Sequence, residues 1–145
     1  MAEVLVVPVL DRGLGNQAYL VDLGDGRALA VDPSLDLRGL DAAADRAGLW
    51  VAVAAETHLH ADFVSGATRL ARRDGARVVG SAAGARRFEH LGVADGDTVD
   101  LGGLTLRTWG TPGHTDEHVA YILEDAGTPL AVFTGGSLIV GAAAR

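Results

Sequence analysis

The chain has 145 residues, a formal net charge of −7 at pH 7, 48% hydrophobic and 21% charged residues, and no cysteine. This composition predicts a soluble globular domain with enough apolar residues for a core. The acidic balance argues against nucleic acid or an anionic membrane as a partner. The absence of cysteine excludes a disulfide framework, a thiolate metal site and a cysteine nucleophile. Glu3 and Asp11 interrupt the N-terminal apolar stretch, so the sequence predicts neither a signal peptide nor a membrane span, and the cytoplasm is the expected location.

The first fifty residues are predicted to form an edge strand, a hairpin and a helix. Pro8 favours an edge position for the first strand, because proline lacks the amide hydrogen that a central strand needs. Gly24-Asp25-Gly26 supplies the Asp-Gly turn of the hairpin. The predicted elements are strands over residues 4–10, 18–22 and 27–32 and a helix over residues 37–47.

Two histidines and an aspartate follow the next predicted strand. The apolar run 49–55 predicts a buried strand, and helical spacing of apolar residues predicts a helix over 63–73. His58, His60 and Asp62 therefore lie in a loop after the carboxyl end of a strand, where open α/β sheets place their sites. Alternate side chains point apart on a helix, but in a loop they can converge on one ion. Imidazole is a usual ligand of zinc and iron, so the segment predicts a metal site.

The second half adds a third histidine in a comparable setting, His114 of the Gly-His-Thr segment. His90 is predicted to be the solvated last residue of a helix. His118 opens a predicted strand, and a loop or outer-sphere role is favoured there over metal ligation. The predicted elements are strands over 77–80, 97–101, 104–108, 119–123 and 130–133 and a helix over 81–90. The strands 97–101 and 104–108 are predicted to pair around residues 102–103, and the strands 119–123 and 130–133 around a turn that contains residues 127–129.

Three segments carry recognisable family motifs: residues 57–63 (T-H-L-H-A-D-F), 111–115 (T-P-G-H-T) and 133–138 (F-T-G-G-S-L). Together they resemble the successive motifs of the metallo-β-lactamase superfamily. The most similar branch is the one that holds glyoxalase II and the persulfide dioxygenases, including bacterial forms fused to rhodanese domains. Residues 16–33 resemble the first strands of that family, so the resemblance spans nearly the whole chain.

The resemblance implies an α/β (α+β) fold, the αββα sandwich of the metallo-β-lactamases. Residues 1–145 would form one domain that covers the first half of this fold and the opening of the second. The resemblance also implies that His58, His60 and His114 bind a metal. Asp62 matches a second-metal ligand in hydrolases, or an outer-sphere acid in mononuclear members. In the persulfide dioxygenases, the residues that match His58 and His114 hold iron together with a carboxylate.

Two departures from the family pattern concern the second metal. Phe63 stands where the family usually has a histidine, and Gly136 stands where it usually has a bridging aspartate. Neither phenylalanine nor glycine has a side-chain donor for a metal. The expected cofactor is therefore one divalent metal, Zn²⁺ or Fe²⁺, because three histidines plus water form an accepted zinc site and iron also accepts imidazole.

The predicted function is that of a metal-dependent hydrolase. A three-histidine Zn²⁺ lowers the pKa of its water to about 7, and Asp62 would orient that water or accept its proton. The implied substrate is a small molecule, a thioester or a persulfide of a low-molecular-weight thiol; with Fe²⁺, open positions would accept O₂ and the persulfide sulfur. Two alternatives stay open: a non-catalytic metal-binding or sensory domain, and a degenerate truncated scaffold without metal.

The last eight residues, 138–145, are apolar except for the terminal arginine and end without a polar tail. They predict a member of the family that is incomplete at its C-terminus, because an uncovered sheet face is costly and prone to association. The competing hypothesis is a compact variant that forms a homodimer through that face.

Overall fold

The computed structural model describes residues 4–11, 16–58, 65–83, 88–112 and 117–135, together with the strand residues 138–139 and 142–143. The chain divides into two compact units. The first contains Val4–Glu56 and continues to Val79, and the second contains Thr57, His58 and the chain from Gly80 onward. The prediction of a single domain over residues 1–145 stays a prediction.

A mixed sheet dominates the first unit. Its strands are β1 (Val6–Asp11), β2 (Asn16–Asp22), β3 (Arg27–Val31), β4 (Trp50–Ala55) and β5 (Arg77–Ser81). They lie in the order β1-β2-β3-β4-β5; β1 to β3 pair antiparallel, and β3, β4 and β5 pair parallel. The predicted hairpin is confirmed, and so is the edge position of the strand that contains Pro8. Leu20 and Leu29 are fully buried at its core, each contributing roughly 1.5–3 kcal/mol by the transfer of its side chain out of water.

Two helices accompany this sheet, α1 (Arg38–Ala47) and α2 (Ala67–Asp74), each closed by a glycine in the left-handed conformation. The first helix confirms the prediction over 37–47. The second begins later than the predicted residue 63, because Ser65 forms a β-bridge with Ser34 and the Gly66 amide donates to the Pro33 carbonyl at 2.8 Å. Neither helix, within the described part of the chain, has the length and apolar character needed to cross a bilayer.

The second unit is built mainly on antiparallel strands. Its strands are β6 (Leu91–Val93), which is hydrogen-bonded to β5, and β7 (Thr98–Asp100), β8 (Thr105–Gly110), β9 (Val119–Asp125), β10 (Thr128–Phe133), β11 (Leu138–Ile139) and β12 (Ala142–Ala143). Four of them form a sheet in the order β10-β9-β8-β7, and β11 pairs with β12. The predicted pairing around Gly102-Gly103 is confirmed. Tyr121 and Leu123 of β9 are fully buried and form the core of this unit.

The sequence predictions for this unit are wrong for one helix and for the length of one turn. The helix over 81–90 is absent from the described residues: Ser81 ends β5, the Ala82 amide donates to the Val93 carbonyl at 2.8 Å, and residues 88–90 are not helical. The backbone does not follow the predicted helix because it pairs with β6, a strand that the sequence pattern did not indicate. The predicted pairing of residues 119–123 with 130–133 is confirmed, but the turn is shorter than predicted. It consists of Ala126 and Gly127, because Thr128 already pairs with Asp125.

Candidate metal centre

Thr57 and His58 follow β4 and are almost completely buried, with exposed fractions of 0% and 5%. The Val119 amide, at the start of β9, donates to the Thr57 carbonyl at 2.8 Å. This bond joins the backbone beside His58 to the first residue of β9, an inner strand of the antiparallel sheet. The first predicted metal ligand therefore lies on a rigid, water-excluded part of the second unit.

Contacts with Thr57 and His118 hold the ring of His58. Its Nδ1 lies 2.8 Å from Thr57 Oγ1, within hydrogen-bonding distance. The ring also stacks on the ring of His118, with centroids 5.0 Å apart and an angle of 24° between the planes. Such contacts restrict the ring to one orientation, which is the usual setting of a metal-binding histidine.

His118 is itself buried and fixed. Its ring is 1% exposed, and its Nδ1 lies 2.7 Å from Thr111 Oγ1. The Thr111 amide donates to the His118 carbonyl at 3.0 Å, so the two residues are joined through both backbone and side chain. The sequence predicts a loop or an outer-sphere role for His118. The residue lies directly before β9, outside the strand, and the outer-sphere role stays a prediction.

Gly135 packs closely against the side chains of Thr57 and His118. It has a φ of +57°, and a Cβ added there would overlap Thr57 Oγ1 and lie 2.8 Å from His118 Nε2. Any residue with a side chain would have to displace one of these two groups. The first glycine of the F-T-G-G-S-L segment thus lets the backbone approach the histidine pair.

The other predicted site residues lie outside the described part of the chain. These residues are His60, Asp62, Phe63, His114 and Gly136. The residues that the structure does describe contain no group of three His, Asp or Glu side chains suited to holding a metal. Of the predicted ligands, His58 is the one whose surroundings can be described.

Two buried acidic residues were missed by the sequence analysis. Asp32 directly follows β3, has a φ of +52° and is 5% exposed, and its amide donates to the Ala55 carbonyl at 2.8 Å. Glu56 directly follows β4 and is 1% exposed. Strained backbone and buried ionisable side chains tend to occur at functional sites. Acidic residues directly after two neighbouring parallel strands are the sequence signal that could have identified both.

A small cleft of about 180 Å³ lies beside His118 in the second unit. Ser81, Asp95, Glu117 and Pro112 are among the residues that line it. Asp95 is held in place because its Oδ1 accepts a hydrogen bond of 2.9 Å from the Gly110 amide. The cleft therefore lies next to His118 and has two acidic residues, Asp95 and Glu117, in a lining that is otherwise largely apolar.

The fold and the sequence motifs define the class of protein: the chain belongs to the metallo-β-lactamase superfamily. It shares 31% identity with a metallo-beta-lactamase from Staphylococcus aureus subsp. aureus COL, with a TM-score of 0.87 over 99% of this chain and 46% of that one. ETHE1 from Myxococcus xanthus gives 32% identity and a TM-score of 0.85, covering 97% of this chain and 61% of that one. The predicted fold class is confirmed.

The curated relatives indicate which branch of the superfamily the chain resembles. A hydroxyacylglutathione hydrolase from Acidiphilium cryptum is 43% identical over 115 residues, which cover 77% of this chain and 46% of the relative. The predicted resemblance to glyoxalase II and its neighbours is therefore confirmed. The chain spans about half the length of the curated relatives it matches. No protein-family model matches the chain.

Proposed function

We propose that this chain is the metal-binding part of a hydrolase that cleaves a thioester of a low-molecular-weight thiol. The observation that carries the proposal is the setting of His58, which is buried, hydrogen-bonded at Nδ1 and stacked on a second histidine. Similarity to hydroxyacylglutathione hydrolases supports the substrate class. The reaction adds water across the thioester C–S bond and releases a carboxylic acid and a thiol.

The residues present fit a metal. Because Nδ1 of His58 is engaged with Thr57, the ring would bind a metal through its other nitrogen, Nε2. His60 and His114 would complete the set of three imidazoles. A divalent metal held in this way supplies a Lewis acid and an activated water near neutral pH. Asp62 would orient the attacking water and accept its proton.

We propose one metal per chain, Zn²⁺ or Fe²⁺, because Phe63 and Gly136 carry no donor for a second. Imidazole suits both ions, so the ligand set leaves the choice between them open. The protein itself would hold His58 in a fixed orientation and away from solvent. Asp62 would accept the proton of the attacking water.

A specific observation favours a second candidate reaction. The chain resembles the persulfide dioxygenases in its motifs, and it overlays ETHE1 from Myxococcus xanthus with a TM-score of 0.85. In that reaction a thiol persulfide, O₂ and water give sulfite and the free thiol, and Fe²⁺ would be the metal. Glutathione persulfide and a glutathione thioester are therefore the two substrates to compare.

Elemental analysis of the purified 145-residue chain tests the proposal. We expect about one zinc or iron per chain in the unmodified protein, and its loss in His58→Ala and in His114→Ala. His90→Ala is the matched control, since its ring contacts Phe88 and lies outside the site. Metal that persists in His58→Ala, or a folded protein that takes up none, would overturn the proposal. Bound metal without turnover of either substrate would support the non-catalytic alternative.

A further inference from the structure

We propose that His118, held by Thr111, is a positioning residue that fixes the orientation of His58 toward a metal. The inference rests on the proposed function, because it takes His58 as a ligand. It goes beyond that function in giving a role to a histidine outside the three proposed ligands.

The contacts on the His118 ring leave it little freedom to move. Thr111 Oγ1 lies 2.7 Å from its Nδ1, and the backbones of the two residues are hydrogen-bonded at 3.0 Å. The ring is 1% exposed, so solvent does not compete for these contacts. A ring held in this way restricts the orientation of the side chain that packs against it.

That neighbour is His58. The two rings are nearly parallel, at 24°, and their centroids are 5.0 Å apart. Stacking controls the tilt of the His58 ring, and the Thr57 hydrogen bond at Nδ1 controls its rotation. Together these contacts orient the ring and with it Nε2, and a preformed ligand needs a ring that is oriented before the metal binds.

Gly135 shows how closely this arrangement is packed. No Cβ fits at this position, because it would overlap Thr57 Oγ1 and lie 2.8 Å from His118 Nε2. The backbone of residue 135 therefore closes on both side chains that support His58. If His118 merely filled core space, an apolar side chain without a need for Thr111 would serve as well.

The test is metal affinity, measured with Zn²⁺ in competition against a chromophoric chelator, and the visible spectrum of the Co²⁺-substituted protein. His118→Ala removes the stack, and Thr111→Val removes only the hydroxyl. We expect His118→Ala to weaken Zn²⁺ binding at least tenfold and to alter the Co²⁺ spectrum, since outer-sphere changes typically cost about 10–100-fold in affinity. Thr111→Val should weaken binding less, in the same direction, and His90→Ala should leave both readouts unchanged.

A purely structural role would lower the melting temperature of the metal-free protein and leave the affinity and the spectrum as they are. That result would overturn the inference. If His118→Ala fails to fold, Thr111→Val decides: an unchanged affinity and spectrum would overturn the inference, and a weakened affinity would support it. Unimpaired metal binding in His58→Ala would instead overturn the ligand assignment itself, and the positioning role with it.

Discussion

The stack of His58 on His118 joins two segments that are far apart in the sequence. His58 begins the His-x-His-x-Asp segment, and His118 follows four residues after His114 of the Gly-His-Thr segment. The ring centroids lie 5.0 Å apart. On the adjoining backbone, the Val119 amide donates a hydrogen bond to the Thr57 carbonyl. The packing of β9 against the chain after β4 thus brings together the surroundings of both motifs.

Loss of the Thr57 hydroxyl should weaken metal binding without unfolding the chain. In Thr57→Val the shape of the side chain is kept, but the 2.8 Å contact with His58 Nδ1 is lost. Removing an outer-sphere partner of this kind typically costs about 10–100-fold in metal affinity. We expect a loss of about tenfold, measured by chelator competition with Zn²⁺.

Thr98→Val, on the exposed side of β7, is the matched control for this substitution. It should leave the metal affinity unchanged. Equal affinities in Thr57→Val and Thr98→Val would show that the Thr57 hydroxyl does not orient the ring of His58.

Alanine at position 135 should destabilise the fold more than alanine at another glycine with positive φ. Gly127 has a φ of +86° and open space where a Cβ would lie, so Gly127→Ala tests the backbone strain alone. That strain should cost about 1–2 kcal/mol. Gly135→Ala adds steric overlap with Thr57 and His118, which we expect to cost about 1–3 kcal/mol more.

Urea unfolding of the two metal-free variants measures this difference. A free energy of unfolding that is the same in Gly135→Ala and Gly127→Ala would contradict the close packing of residue 135 against the histidine pair.

Much of the first unit could be predicted from local sequence patterns. Pro8 marked the edge strand, and Asp25-Gly26 marked the hairpin turn, because these residues act on the backbone where they stand. The start of α2 could not be predicted in this way. It depends on the bridge between Ser34 and Ser65, a contact between distant parts of the chain that no periodicity records.

The candidate site shows the same difference between features that a local sequence pattern predicts and features that it does not. His58 was identified from its spacing to other ligand-type residues, which is a local signal. The contact of Gly135 with Thr57 joins distant parts of the chain and was not predicted. The contacts of Thr57 with His58 and of Thr111 with His118 are short in sequence, but they depend on side-chain directions that spacing alone does not give. The outer-sphere role of His118 stays a prediction, and its contact with His58 is not indicated by any local pattern.

The turn between β9 and β10 offers a stabilising substitution. Ala126 and Gly127 both have positive φ, 48° and 86°, in a two-residue loop between Asp125 and Thr128. Turns of this kind favour Asn-Gly, whereas alanine is strained in the left-handed region. We expect Ala126→Asn to raise the free energy of unfolding by about 0.5–1 kcal/mol.

Ala42→Asn, on the exposed face of α1, is the control for this turn substitution. Asparagine has a lower helix propensity than alanine, so that variant should lose about 0.5 kcal/mol. A loss of stability in Ala126→Asn as well would mean that the loop does not require an Asn-Gly turn. Urea unfolding at neutral pH checks both variants.

The carboxyl group of Asp36, just before α1, should titrate far below its ordinary range. Hydrogen bonds from the Arg38 side chain, the shortest being 2.7 Å from Nη2 to Oδ2, lower the pKa of Asp36 to about 2. Because the folded-state pKa lies below the unfolded value of about 4, the ion pair stabilises the fold above pH 4. This contribution is lost as the pH falls from 4 through 2.

Titration of the Asp36 carboxyl carbon by NMR measures this directly. The midpoint should lie near 2 in the unmodified chain and move toward 4 in Arg38→Gln, since the main cause of the shift is then removed. Arg46→Gln, in the last turn of the same helix, changes the net charge equally and should leave the midpoint where it is. A midpoint near 4 in the unmodified chain would show that the exposed Arg38 side chain does not hold this contact in solution, as many surface ion pairs do not.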